Sequence, residues 1–313
     1  MRILVTGGAG YVGSHAAKRL VECGHHPIVL DNLVEGHRQA VGRLQFFEAD
    51  LADRERITRL LAEERIEAVM HFAALTYVGV SVHEPSAYYQ NNVVGTLALL
   101  EAMRAAGVRR IVFSSSCATY GIPQQVPIRE DHPQHPISPY GFTKFVVERI
   151  LADYARAYGF SYAALRYFNA AGAAADGSLG EDHDPETHLI PLVLQTALGQ
   201  RESVDIFGDD YPTPDGSCIR DYIHVDDLAE AHRLAIDKLM QSPAGTELKL
   251  NLGTGHGASV KQVIDACRAV TGQTIAARVA PRREGDPPEL VADASLAGQV
   301  LGWRPKFAEV RAI

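Results

Sequence analysis

The sequence predicts an α/β protein: a doubly wound parallel sheet followed by a smaller α/β unit that binds substrate. Three observations carry this reading. Short apolar, β-branched runs alternate with longer segments of helical spacing, a glycine-rich turn follows the first run, and the texture changes after about residue 168. Strands that alternate with helices over short connections form parallel sheets with helices on both faces.

The elements follow in order. Ile3–Val5, Ile28–Leu30, Phe46–Phe47, Ala68–His71, Ile111–Phe113 and Tyr162–Arg166 are short apolar runs, as expected of strands covered on both faces. Between them, Gly13–Cys23, Asp53–Glu64, Ala87–Ala106 and Ser138–Tyr158 carry helical spacing. Beyond Phe168 the stretch Ala170–His188, rich in Ala, Gly and acidic residues, predicts a long loop. Leu189–Leu198 predicts a helix with Pro191 near its start, and Pro212–Gly216 a turn cluster. His224–Leu239 predicts a helix, Lys249–Leu252 a strand and Ser259–Val270 a further helix. The expected division is therefore residues 1–168 and 169–313, with about 205–240 packing back on the first part.

Composition narrows the functional classes. With 313 residues, 46% of them hydrophobic and 22% charged, the chain has the balance of a globular protein. A net charge of −8 without a basic run argues against nucleic acid as a partner. Cys23, Cys117, Cys218 and Cys267 are scattered, so neither a disulfide framework nor a cysteine zinc site is expected. No stretch reaches the length of a membrane span, and glycines break the first apolar run, so a cytoplasmic protein is expected.

Gly7-Gly8-Ala9-Gly10-Tyr11-Val12-Gly13 follows the first strand and opens a helix. Glycines there let the backbone turn tightly and let a pyrophosphate approach the helix N-terminus, a Rossmann-type dinucleotide site. Asp31 ends the second strand, where a carboxylate accepts hydrogen bonds from ribose hydroxyls and repels a 2′-phosphate, so NAD is favoured over NADP. Asp50-Leu51 closes the third strand and has two readings: a contact to the adenine edge, or a helix N-cap at Asp50.

Tyr140 and Lys144 lie four apart on one helix face. An ammonium beside a phenol favours the phenolate, giving a base for a sugar or alcohol hydroxyl. Ile111–Ser116 runs a strand into three hydroxyls, of which Ser116 is placed to hydrogen-bond a substrate oxygen beside Tyr140. Arg220 and Arg283 suit bidentate binding of a diphosphate, against the alternative of salt bridges with Asp221 or Glu284.

Together with Gly7, Gly10 and Gly13, these residues resemble the extended short-chain dehydrogenase/reductase superfamily and, within it, the UDP-glucose 4-epimerases. The resemblance spans nearly the whole chain: Leu30–Leu33, His71–Leu75, Tyr88–Asn92, Ser114–Gly121, Leu165–Asn169, Asn251–Gly255, Arg283–Asp286 and, most specifically, Ile206–His224. It implies a hydride-transfer enzyme holding NAD, with Tyr140 as acid and base, Lys144 as its tuner and ribose ligand, and Ser116 as the hydroxyl partner. It further implies that Tyr11, Val12, Asn32, Asp50, Leu51, Phe72, Ala73, Ala74, Ser114, Tyr167 and Phe168 contact the cofactor. Asn91 would hold the helix carrying Lys144. Asn169, His188, Leu189, Phe207, Arg220, Arg283 and Asp286 would line the sugar-nucleotide site. The implied reaction interconverts UDP-galactose and UDP-glucose through a 4-ketose that turns over in the site. The alternatives are epimerisation of UDP-N-acetylhexosamines or UDP-uronic acids, or another sugar-nucleotide modification.

Some positions depart from the family pattern. Thr76 stands where some relatives carry a cofactor-touching lysine, Leu290 falls near the position governing room for an N-acetyl group, and the chain ends at Ile313, before a last helix of relatives. A 4,6-dehydratase needs a carboxylate where Cys117-Ala118 stand, and a uronate decarboxylase needs a basic group by the hexose that is not found. A non-catalytic NAD sensor would typically lack the Tyr/Lys pair. His83, His183 and His188 with Glu181, Asp182 and Asp184 lack the two-His helical spacing of a metal site, so a solvated acidic loop and no metal are expected. Helices 87–106 and 138–158 carry surplus apolar residues, among them Leu97, Leu100, Val146, Ile150 and Tyr154, which predicts a homodimer through a four-helix interface.

Overall fold

The computed structural model describes residues 1–283 and 286–313. The first half runs β1 (Arg2–Thr6), α1 (Tyr11–Glu22), β2 (His26–Asp31), β3 (Gln45–Glu48), α2 (Arg54–Glu63), β4 (Ala68–His71), α3 (Val78–His83) and α4 (Pro85–Tyr88). A π-helical turn, Tyr89–Val94, leads into α5 (Gly95–Ala106), then β5 (Arg110–Ser116), α6 (Pro139–Tyr158) and β6 (Ser161–Tyr167). The second half comprises β7 (Asn169–Ala171), α7 (Leu189–Ala197), β8 (Val204–Phe207), β9 (Ile219–His224), α8 (Val225–Gln241) and β10 (Glu247–Leu252). It closes with β11 (Gly257–Ser259), α9 (Val260–Thr271), β12 (Ala277–Ala280), β13 (Glu289–Leu290) and α10 (Ser295–Leu301).

Seven parallel strands form the main sheet in the order β10-β6-β5-β4-β1-β2-β3. The chain starts centrally at β1, winds outward to β3, then reverses to β4, β5 and β6. That reversal leaves a crevice beyond the carboxyl ends of β1 and β4, the usual ligand position of such sheets. Side chains alternate between two cores, as the pleat requires. Leu4, Ile28 and Leu30 face α2, α5 and α6, beside Ile57, Leu60, Leu99 and Val147. Ile3, Val5 and Val29 face α1 and α8, beside Leu20, Leu228, Ile236 and Leu239. Each such side chain, fully buried, contributes roughly 1.5–3 kcal/mol.

The smaller unit has β9 at its centre, antiparallel to β11 and parallel to β13 and β7, with β8 and β12 paired separately. The segments that return to the main sheet overlap the expected 205–240 only in part. β8 stays with the smaller unit, whereas α8 and β10 rejoin the first, and α10 and Trp303 pack on the same core. The physical reason is twofold: α8 turns its apolar face onto the sheet beside α1, and β10 pairs with the otherwise open edge of β6. Among the described residues, no helix is long and apolar enough to cross a membrane.

Candidate active site

The glycine loop lies at the end of β1 and opens α1, whose N-cap is Gly10. Gly7 has φ +71°, and a Cβ there would lie 2.4 Å from the Ala73 nitrogen. A Cβ on Gly13 would lie 2.1 Å from the Gly7 carbonyl oxygen. Only glycine lets the loop pack this tightly, and the first N–H groups of α1 have no partners within the helix. With no acidic residue in its first turn, α1 presents its positive end without competition. These features fit a pyrophosphate. Asp31 is buried and held in place, its carboxylate accepting from Ala9 N at 3.0 Å and Leu33 N at 2.9 Å. Each oxygen keeps a lone pair for a ribose hydroxyl.

Phe72, Ala73 and Ala74 follow β4 against this loop, and Asn32 donates to Asp50 at 2.9 Å. The N-cap reading of Asp50 is corrected: Asp53 caps α2 by accepting from Arg56 N, while Asp50 accepts from Ala52 N in a local turn. Leu51 is buried in the core beneath. Tyr11 turns its hydroxyl to the Gly172 carbonyl at 2.6 Å, joining the loop after β7 to α1, and Val12 packs on the α1–α8 core.

Ser116, Tyr140 and Lys144 come together at the carboxyl end of β5, all three buried. Ser138 caps α6, accepting from Gly141 N at 3.2 Å, and Pro139 sets the first turn, so Tyr140 enters beside Ser116. Lys144 Nζ donates to the Ser114 carbonyl at 2.8 Å and lies 5.8 Å from the centre of the Tyr140 ring. Ser114 and Tyr167 share a hydroxyl hydrogen bond of 2.7 Å.

The acid–base balance of these side chains departs from expectation. Burial, then the neighbouring Tyr167, push the Tyr140 phenol above its ordinary value, with Ser116 pulling the other way. Burial lowers the Lys144 ammonium to about 7, opposed by Glu148. Desolvation outweighs the ammonium's attraction, because Nζ faces the Ser114 carbonyl and not the phenol. Burial therefore disfavours the phenolate form of Tyr140.

Asn91 is also corrected. The tie to the Lys144 helix is made by Asn92, which donates to Thr143 Oγ1 at 3.1 Å and to the Leu75 carbonyl at 3.0 Å, and accepts from Leu75 N. Among the described residues, the Asn91 side chain reaches only Asn92. The π-helical turn widens the register, so that Asn92 and not its neighbour points inward.

Behind the site is an ion pair that the sequence reading missed. Arg166 on β6 holds Glu148 on α6 through bonds of 2.6, 2.9 and 3.2 Å, both side chains almost wholly buried. Ser115 donates to the same carboxylate at 2.6 Å, and Arg166 continues to Tyr120 and the Glu130 carbonyl. Two arginine- and glutamate-bearing elements thus meet only in three dimensions, and no local spacing announces the pair.

The smaller unit faces this edge. Phe168 is buried against Cys117, Tyr120, Ile128 and Ala292, with Leu290 beside them. Asn169 begins β7. Arg220 on β9 is paired with Asp286, not Asp221, because the Asp221 carboxylate is taken by Thr254, Gly255 and Ala292. The Arg283 guanidinium stacks 4.0 Å over the Phe207 ring, and its alternative partner Glu284 lies outside the described residues. Leu189 opens α7. His188 precedes it, but its ring turns to Glu181. The solvated-loop reading holds for Asp182, Asp184 and His188, which are exposed, but is corrected for Glu181 and Glu186, whose side chains are each only 6% exposed and gather His183 and His188.

Comparison with known proteins agrees with this geometry. A model described as the NAD dependent epimerase/dehydratase family matches residues 3–253. A UDP-glucose 4-epimerase of Halalkalibacterium halodurans is 54% identical over 98% of this chain and 91% of its own. The structure of a UDP-glucose 4-epimerase from Brucella ovis in complex with NAD superposes with a TM-score of 0.97 at 49% identity, covering 100% of this chain and 95% of that one. One from Bifidobacterium longum in complex with NAD+ and UDP does so with 0.94 at 39% identity, over 100% and 95%. A matched stretch this long, on a chain whose glycine loop, Asp31 and Ser/Tyr/Lys cluster all lie along one sheet edge, leaves one conclusion: the chain belongs to the NAD dependent epimerase/dehydratase family.

Proposed function

We propose that the chain is a UDP-glucose 4-epimerase, interconverting UDP-galactose and UDP-glucose with NAD as its resident cofactor. The observation that carries this is the meeting of Ser116, Tyr140 and Lys144 at the sheet edge that also bears the glycine loop. Gly7, Gly10, Tyr11, Val12 and Gly13 would hold the pyrophosphate, and Asp31, with Asn32 and the Asp50-Leu51 turn, the adenosine side. Phe72–Ala74, Ser114, Tyr167, Phe168 and Lys144 would enclose the remainder. Bound NAD would supply a hydride acceptor and donor and, when oxidised, a positive charge beside the phenol.

Tyr140 takes the proton from the sugar 4-hydroxyl and later returns it, and Ser116 holds the same oxygen. Burial alone disfavours the phenolate, so Tyr140 becomes a base only with cationic charge next to it. The 4-ketose must turn over before it is reduced on its other face, so grip belongs on the UDP portion and not on the hexose. Arg220 and Arg283 suit the diphosphate, with Asn169, Leu189, Phe207 and Asp286 around them. The His188 ring, turned to Glu181, leaves only its backbone for this role. We assign cofactor binding to residues 1–168 and sugar-nucleotide binding to the unit after 169, less the segments that return to the main sheet.

The protein acts in this reading as a cytoplasmic homodimer. Tyr89, Val94, Leu97 and Phe142 are exposed on the π turn, α5 and α6 and support a paired-helix interface, whereas Leu100, counted among the surplus residues, is used in the core. Purified protein given UDP-galactose without added NAD should form UDP-glucose, followed by NMR. Tyr140→Phe should abolish this while retaining the cofactor. Absence of conversion even with NAD supplied would redirect the reading to another sugar-nucleotide substrate.

A further inference from the structure

Between β7 and α7, two Glu-x-His pairs, Glu181/His183 and Glu186/His188, fold back on each other. One donor atom from each lies within 4.8 Å of all the others. His183 Nδ1 is 3.4 Å from a Glu181 oxygen and 3.6 Å from a Glu186 oxygen, and His188 Nδ1 is 3.6 Å from the other Glu186 oxygen and in contact with Glu181. A tetrahedron with metal–ligand bonds of about 2.1 Å has edges of about 3.4 Å, which the three separations of 3.4, 3.6 and 3.6 Å match, whereas the closer His188–Glu181 contact would have to open to admit an ion.

Three further observations point to a cation. Among the described residues, neither carboxylate has a lysine or arginine partner, and both are met only by the imidazoles of His183 and His188. His183 Nδ1 is buried with no hydrogen-bond partner while aimed between both carboxylates. The Glu186 carboxylate is fixed by Thr187 N and His188 N at 2.7 Å each, which pre-sets its direction.

We propose that Glu181, His183, Glu186 and His188 form a structural site for a divalent transition metal of the zinc class. Two imidazoles and two carboxylates suit zinc and neutralise its charge, and four protein ligands leave no open position for chemistry. The ion would fasten the loop between β7 and α7. That loop already touches the cofactor side: Tyr11 donates to Gly172, Lys18 binds Asp176, and His37 reaches the Asp182 carbonyl. The Tyr11 and Tyr77 rings meet His183 edge-on at 6.5 and 5.9 Å.

The test titrates zinc into chelator-treated wild-type protein by calorimetry. One ion per chain is expected, with binding weakened at least about 100-fold in Glu181→Gln and His183→Gln. Cobalt(II) on the wild-type protein should give the visible absorption of a tetrahedral site, a readout independent of how the variants fold. No stoichiometric binding, an octahedral cobalt spectrum, or zinc affinity unchanged in both variants would each overturn the proposal.

Discussion

Replacing Glu148 by leucine isolates the ion pair behind the active site. The substitution keeps volume but deletes the carboxylate that accepts bonds of 2.6, 2.9 and 3.2 Å from Arg166 and one of 2.6 Å from Ser115. Arg166 is 1% exposed, so water cannot replace what it loses, and only Tyr120 and the Glu130 carbonyl remain to it. Stranding one member of a buried pair costs about 3–5 kcal/mol. An unfolding entropy of about 2.1 cal/mol/K per residue amounts to roughly 0.66 kcal/mol/K for this chain, so the midpoint should fall by about 5–8 °C. Thermal unfolding by circular dichroism at saturating NAD reads this directly. The double variant Glu148→Leu, Arg166→Met removes both charges and should recover most of the loss, because apolar replacements of a buried pair are close to neutral. A single-variant shift under about 1.5 °C, or a double variant worse than the single, would refute the reasoning.

Two further outcomes follow from the same geometry. Gly13→Ala drives a Cβ to 2.1 Å from the Gly7 carbonyl and must displace the loop; NAD affinity, measured by fluorescence titration, should fall at least about tenfold, equivalent to about 1.4 kcal/mol. For Lys144, burial holds the folded value near 7 against the ordinary 10.5. The unfolded chain binds more protons between those limits, so the residue's contribution to stability rises with pH from about 7 to 10.5, its burial cost being fully present below. The stability difference between wild type and Lys144→Met should climb across that window in urea melts, and a flat difference would contradict it.

The central strands were legible because parallel strands covered on both faces read as unbroken apolar runs, as Ile3–Val5 and Ile111–Phe113 do. The strands of the smaller unit were not. β9 reads Ile-Arg-Asp-Tyr-Ile-His, and its charged members are satisfied by distant partners that sequence cannot display: Asp286 for Arg220, and the 254–255 turn for Asp221. Local pattern likewise gave Tyr140, Lys144 and Ser116, since helix spacing and a strand end place them. Asn91 came from the family resemblance and not from local pattern, and the π-helical turn there buries Asn92 instead. The histidine–glutamate cluster was dismissed for want of helical spacing, yet a folded loop achieves the convergence without a helix; the repeated Glu-x-His was the signal available.

The return of α8 and β10 to the main sheet makes the two units interleaved in the chain. The polypeptide passes between them after Tyr167, at His224, after Leu252 and before Ser295. A body hung on a single connection can swing or be cut free, whereas one stitched through several parallel threads resists both. Cleaving the gene near codon 168 would therefore release a fragment lacking the edge strand beside β6 and the helix beside α1, leaving apolar surface bare.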